Sequence, residues 1–146
     1  MEDNYQIFLQ KLLMLRSNSN EDQNESTNYF LSFLEESFRE YFTNLHTSLL
    51  DDEFINKNKD GRSALSICLK YTLSRISPQQ WAEIPIEMKN NVKLRLLILN
   101  QKSGNEIAIQ NLFSQNIALV CHLDNSYTQT AQLLFMPLLE NLKNFV

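Results

Sequence analysis

The spacing of apolar residues between Gly61 and Asp124 constrains this chain more than any other feature. Leu65, Leu69, Leu73 and Ile76 recur at helical intervals, and so do Met88, Val92, Leu96 and Leu99. Ile109, Leu112, Phe113, Ile117, Val120 and Leu123 repeat the pattern. The period is that of a helix face, not of a strand. It predicts helices over Arg62–Ile76, Ile86–Leu99 and Ile107–Leu123, each too apolar to stand alone and each joined to the next by a short polar or proline-bearing break. Such a pattern fits antiparallel helices packed in succession.

The rest of the chain extends this all-α reading. A first helix is expected over Asn4–Leu15, with Tyr5, Phe8, Leu9, Leu12 and Leu13 on its apolar face. Ser17–Glu25 is polar throughout and reads as a loop, with Ser26 or Thr27 as the next N-cap. From Thr27 an aromatic-rich segment runs to Leu50, as one long helix or, preferably, two helices divided near Glu36-Ser37. Asp51–Asp60 reads as a charged loop, closed by the turn signal Asp60-Gly61. Ser77-Pro78-Gln79-Gln80 has the serine, proline and glutamine of a capping box and opens a short turn. Pro85 opens the following helix, and Trp81 covers the corner between the two starts. Gln101–Asn105 and Asp124–Thr130 are expected loops. A last helix over Ala131–Val146 is apolar almost all round, with Pro137 in its first two turns. A helical stack normally closes on a polar outer face. The expectation is therefore that the array continues past Val146 or meets a partner there.

With only 2 glycines and 3 prolines in 146 residues, the chain lacks the tight turns of barrels and sandwiches, and its length suits one domain, 1–146. A net charge of −4 without any basic run argues against gripping nucleic acid. No stretch approaches a membrane span, and Met1–Arg16 lacks the apolar core of a signal peptide. Cys68 and Cys121 sit on apolar helical faces and are expected as buried, reduced thiols. The histidines, His46 and His122, complete no metal set: Cys121 and His122 are adjacent, so on a helix their side chains diverge. No phosphate loop, nucleophile elbow or zinc-binding motif is present, and the acidic groups Glu35-Glu36 and Asp51-Asp52-Glu53 read as solvated helix ends. The reading is of a protein that is not an enzyme, without cofactor or metal. Lys89 and Lys93, a helical turn apart with Asn90 beside them, form either an ordinary solvated face or a partner-facing stripe.

Taken in order, the segments resemble the N-terminal end of the importin-β, or karyopherin-β, nuclear transport receptors. Ala64-Leu65-Ser66-Ile67-Cys68-Leu69-Lys70-Tyr71 resembles the family's Leu-Lys-Asn helix, followed by a tryptophan-bearing connection at Trp81 and Ile84-Pro85. Asn91-Val92-Lys93-Leu94-Arg95-Leu96-Leu97 resembles its Val-Lys-x-x-Leu-Leu helix. Gln115–Asp124 resembles the helix that opens the third repeat, and Leu134-Phe135-Met136-Pro137-Leu138-Leu139 its Leu-x-Pro-x-Leu partner. The resemblance implies an antiparallel HEAT-type α-solenoid segment of about three repeats within a longer array. It implies a chain of cytoplasm and nucleus that binds the small GTPase Ran in its GTP form and helps control cargo binding. The inner helices would be Phe38–Leu50, Ile86–Leu99 and the last one, with Lys89, Asn90 and Lys93 as contacts. Cargo and nucleoporins would be met by the rest of the array, with no direct nucleic-acid contact and no membrane insertion. A second reading stays open, a self-contained helical adaptor or scaffold with no role in transport. Tyr71 stands where the family has Asn, and Thr130-Ala131 where it has Trp-Pro.

Overall fold

The computed structural model describes residues 4–103 and 106–124. Within them the chain forms α1 (Asn4–Met14), α2 (Asn20–Glu36), α3 (Phe38–Leu50), α4 (Asp52–Lys57), α5 (Lys59–Arg75), α6 (Pro78–Glu83), α7 (Ile86–Lys102) and α8 (Ile107–Asp124), and no strand. The expected helix over Ala131–Val146, and Asn125–Thr130 ahead of it, lie outside the described residues.

The strongly periodic segments become helices close to their expected limits, and the break before Ser37 is present: its N–H bonds back to Phe33 O at 2.9 Å, ending α2. The capping box also forms. Gln80 N donates to Ser77 Oγ at 3.1 Å, and Ser77 N donates to Gln80 Oε1 at 3.0 Å.

Two expected loops are helical instead. In the first, α2 starts at Asn20, because Ser19 caps it by accepting from Asp22 N at 3.3 Å and because Glu21 and Asp22 sit at the positive end of the helix dipole. Ser26 and Thr27, the two expected caps, both lie inside α2, and Ser26 is fully buried with its hydroxyl donating to Lys11 O of α1. Lys11 also pairs with Glu25 at 3.0 Å, so this polar segment is held by polar contacts rather than by an apolar stripe. In the second, Asp51 caps α4 by accepting from Phe54 N at 3.0 Å, and α4 buries Phe54 and Ile55. Asp60-Gly61 is no turn: both residues lie in the first turns of α5. Gly61 serves a close approach, since a Cβ there would stand 2.6 Å from Phe54 Cζ. Past Leu99, α7 continues to Lys102.

The helices form two rows. In row one α1, α5 and α8 lie side by side, and in row two α3 lies beside α7. The contacts give their directions. Arg62 at the start of α5 pairs with Glu106 just ahead of α8, and Asn116 Nδ2 in mid-α8 donates to Ser66 O, so α5 and α8 run the same way. Tyr5 in α1 bonds Asp51 ahead of α5, and Leu15, just past α1, shares a cavity with Tyr71 late in α5, so α1 matches them. In row two the starts of α3 and α7 meet at Phe38 and Met88, and Leu49 near the end of α3 meets Arg95, so these two are also parallel. Between rows the direction reverses: Asn100, late in α7, bonds Gln110, early in α8. The extra helix α2 lies against α1 and α3.

Between the rows sits one core. Leu65, Leu69, Leu73, Val92, Leu96, Leu99 and Phe113 are fully or almost fully buried. At the α1–α2–α3 end the filling is aromatic, with Phe8 edge-on to Phe30 at 5.3 Å and Phe33 edge-on to Tyr41 at 5.5 Å, the geometry ring quadrupoles favour.

Candidate interaction face

Of the residues singled out in the sequence, Lys89, Asn90 and Lys93 all lie on α7, and each has a different environment. Lys93 is turned toward the end of α8, where its ammonium pairs with Asp124 and its side chain is only 16% exposed. Asp124 also accepts from Trp81 Nε1 at 3.1 Å. Lys89 Nζ stands 5.6 Å from the centre of the Trp81 ring, within cation–π range. Trp81 is buried and meets Phe42 edge-on at 6.1 Å, so it fills the corner between α6, α3 and α8. Asn90 points outward and is exposed. Lys93 therefore serves internal structure, while Lys89 and Asn90 remain toward the surface.

Beside them, a cleft of about 200 Å³ runs between the start of α3 and the α6–α7 corner. Phe38, Phe42, Ile84, Pro85 and Met88 line it, with Arg39 and Glu83 at its edge. Ile86 and Leu94, 75% and 54% exposed, lie on other sides of α7 and do not line this cleft. Row two thus presents an apolar cleft edged by Arg39 and Glu83, with Lys89 on the turn next to Met88, a composition suited to recognising a protein surface.

The seam between α3 and α7 has a polar line that sequence reasoning did not single out. Arg95 donates from Nε to Leu49 O at 2.8 Å and from its terminal nitrogen to Asp52 at 2.7 Å. Asn91, one turn earlier, bonds His46 at 3.2 Å. The separation of Asn91 and Arg95 by one helical turn was the available signal. Burial lowers the His46 imidazole from its ordinary range, with Glu87 partly opposing.

The thiols sit where they were expected. Cys68 and Cys121 are buried and free of disulfide. Burial pushes the Cys68 thiol up to about 12, which keeps it protonated and non-nucleophilic at neutral pH. Thr72 Oγ1 donates to Cys68 O at 2.8 Å, so its hydroxyl must accept the 2.7 Å bond from Tyr41. Tyr41 then accepts from the Cys68 thiol at 3.1 Å, and the chain of donors is complete. His122 is exposed while Cys121 beside it is buried. Among the described residues no group of His, Cys, Asp and Glu has the makings of a metal site, and no helix is long and apolar enough to cross a membrane. Comparison with family models, curated proteins and solved structures finds no match to this chain.

Proposed function

We propose that this chain is a protein-binding helical stack of HEAT type, the opening segment of a nuclear transport receptor of karyopherin-β kind. It would engage the GTP form of a Ran-type GTPase through row two. The observation that carries the reading is the pattern of directions: helices parallel within each row and antiparallel between rows, as stacking of successive helix pairs produces. The apolar cleft at the α3–α7 start, with Lys89 and the exposed Asn90 on the same helix, supplies a face for the partner. Lys93 contributes by holding the corner at Asp124 rather than by direct contact. Function on this reading is binding alone, with affinity for one partner coupled to another through flexing of the stack.

The test is a pull-down with Ran loaded with a non-hydrolysable GTP analogue or with GDP. Binding selective for the GTP analogue, and lost in Lys89→Glu, supports the reading. Equal binding to both forms, or to neither, removes it. The commitment of Lys93 to Asp124 favours a second reading, an adaptor that holds some other protein through the same apolar cleft. In that case Met88→Asp, inside the cleft, would abolish partner capture while the nucleotide state of Ran made no difference.

A further inference from the structure

A second cavity, of about 340 Å³, opens where the start of α1, the last turns of α2 and the first turn of α3 meet. Ile7, Tyr29 and Phe33 give it an apolar, aromatic wall, and the Tyr29 and Phe33 rings lie 5.8 Å apart. Glu36 and Glu40 stand at its rim, exposed, and neither belongs to an ion pair of the described residues. Glu40 has a structural reason, since it lies in the first turn of α3 where the helix dipole favours an acid. Glu36 has the opposite placement. It ends α2, at the negative end of that helix, and the last turn of α2 contains no basic residue to offset it. Solvation carries this exposed charge against a mildly unfavourable helix end, and a cation bound in the cavity would relieve that opposition.

We infer that this cavity receives the guanidinium of an arginine presented by a basic segment of a partner protein. Guanidinium is planar, stacks on aromatic faces and forks onto carboxylates, which matches rings in the wall and carboxylates at the rim better than a compact ammonium does. The occupant comes from another molecule, because none of the chain's own arginines lines the cavity. Arg62 and Arg95 are paired elsewhere, Arg75 stacks on Tyr71, Arg39 borders the other cleft, and Arg16, past the far end of α1, is not in the lining; Lys11 stands 5.7 Å from the centre of the Tyr29 ring but is held by Glu25 and does not line the cavity. A net charge of −4 favours the approach of a basic segment. The site uses neither Lys89 nor Asn90 and goes beyond the row-two reading.

The test titrates the whole chain with a blocked Gly-Arg-Gly-Arg-Gly peptide and with its citrulline counterpart, which keeps the shape and removes the charge. Ring proton shifts of Tyr29 and Phe33 are followed by NMR. Saturable shifts are expected with the arginine peptide and not with citrulline. E36Q/E40Q, with an unchanged circular dichroism spectrum, should weaken binding about tenfold or more. Tyr29→Leu should weaken it about two- to fivefold. Absent shifts at these rings, equal binding of the citrulline peptide, or unchanged affinity in E36Q/E40Q would each overturn the inference.

Discussion

Gly61→Ala places two well-measured effects in opposition. In an ordinary helix interior the substitution stabilises by about 1 kcal/mol, because glycine loses more backbone freedom on folding than alanine. Here the new methyl would lie 2.6 Å from Phe54 Cζ and 3.0 Å from Phe54 Cε1 and Asn58 Cβ. Carbon atoms prefer roughly 3.5–4.0 Å, so the overlap with the ring tip is about 1 Å. Phe54 is buried and its ring has little room to retreat, and overpacking of this kind costs about 1–3 kcal/mol. The net expectation is a loss of about 0–2 kcal/mol. The sharper measurement uses a second background. In Phe54→Leu the ring tip is gone and only the tight approach to Asn58 Cβ remains, so Gly61→Ala should become neutral or stabilising by up to about 1 kcal/mol, a coupling of about 1–3 kcal/mol between the two sites. Urea unfolding followed by circular dichroism gives all four corners of the cycle. A stabilising Gly61→Ala in the native background, or equal effects in both backgrounds, would refute the close-approach account.

Tyr41→Phe breaks the buried chain Cys68–Tyr41–Thr72 and leaves the Thr72 acceptor unmet, so a loss of about 1–3 kcal/mol is expected in the same assay. Asn116 is fully buried, spends one bond on Ser66 O and leaves its Oδ1 without a partner among the described residues. Asn116→Leu removes that orphan along with the bond, and stability should be unchanged or higher by up to about 2 kcal/mol; a clear loss would mean that the Ser66 bond dominates. His46 titrates below its ordinary value of 6.5 because burial disfavours the charged ring. The native state therefore holds fewer protons than the unfolded chain near that pH. Stability should fall as pH drops below about 6.5 and level off once native His46 is charged, and denaturation series across this range should show a shallower acid slope in His46→Gln.

Apolar periodicity made α1, α5, α7 and α8 legible, because each buries a stripe repeated over several turns. The Ser77 box was legible because a cap is local chemistry; the stop at Ser37 was legible from the length of the apolar run, and the Ser37 side chain makes no cap bond. The start of α2 was not, since Asn20–Glu25 has no apolar residue and is held to α1 by Ser26, Lys11 and Glu25, whose partners lie beyond the segment. Nor was α4, whose only buried residues are Phe54 and Ile55. Gly61 next to Asp60 spells a turn in one dimension; only the Phe54 ring above it reveals why glycine is needed inside a helix. At the candidate face, helical spacing placed Lys89 and Lys93 one turn apart on α7. It could not show that Asp124, a helix away, takes Lys93 out of the surface, nor that Arg95 reaches back to Leu49 and Asp52. Glu36 and Glu40 were separated by the helix break that the sequence did reveal, and the cavity uniting them depends on how α1 crosses that break.

The line of polar contacts between α3 and α7 has a mechanical consequence. Apolar packing resists separation by area, but it tolerates sliding as side chains exchange neighbours. The bonds from Arg95 to Leu49 O and Asp52, and from Asn91 to His46, act instead as a latch against sliding along the helix axes. Pulling on the chain ends with optical tweezers should therefore show an early rip when the latch opens. Arg95→Met, which keeps the aliphatic stem and deletes the fork, should move that rip to lower force.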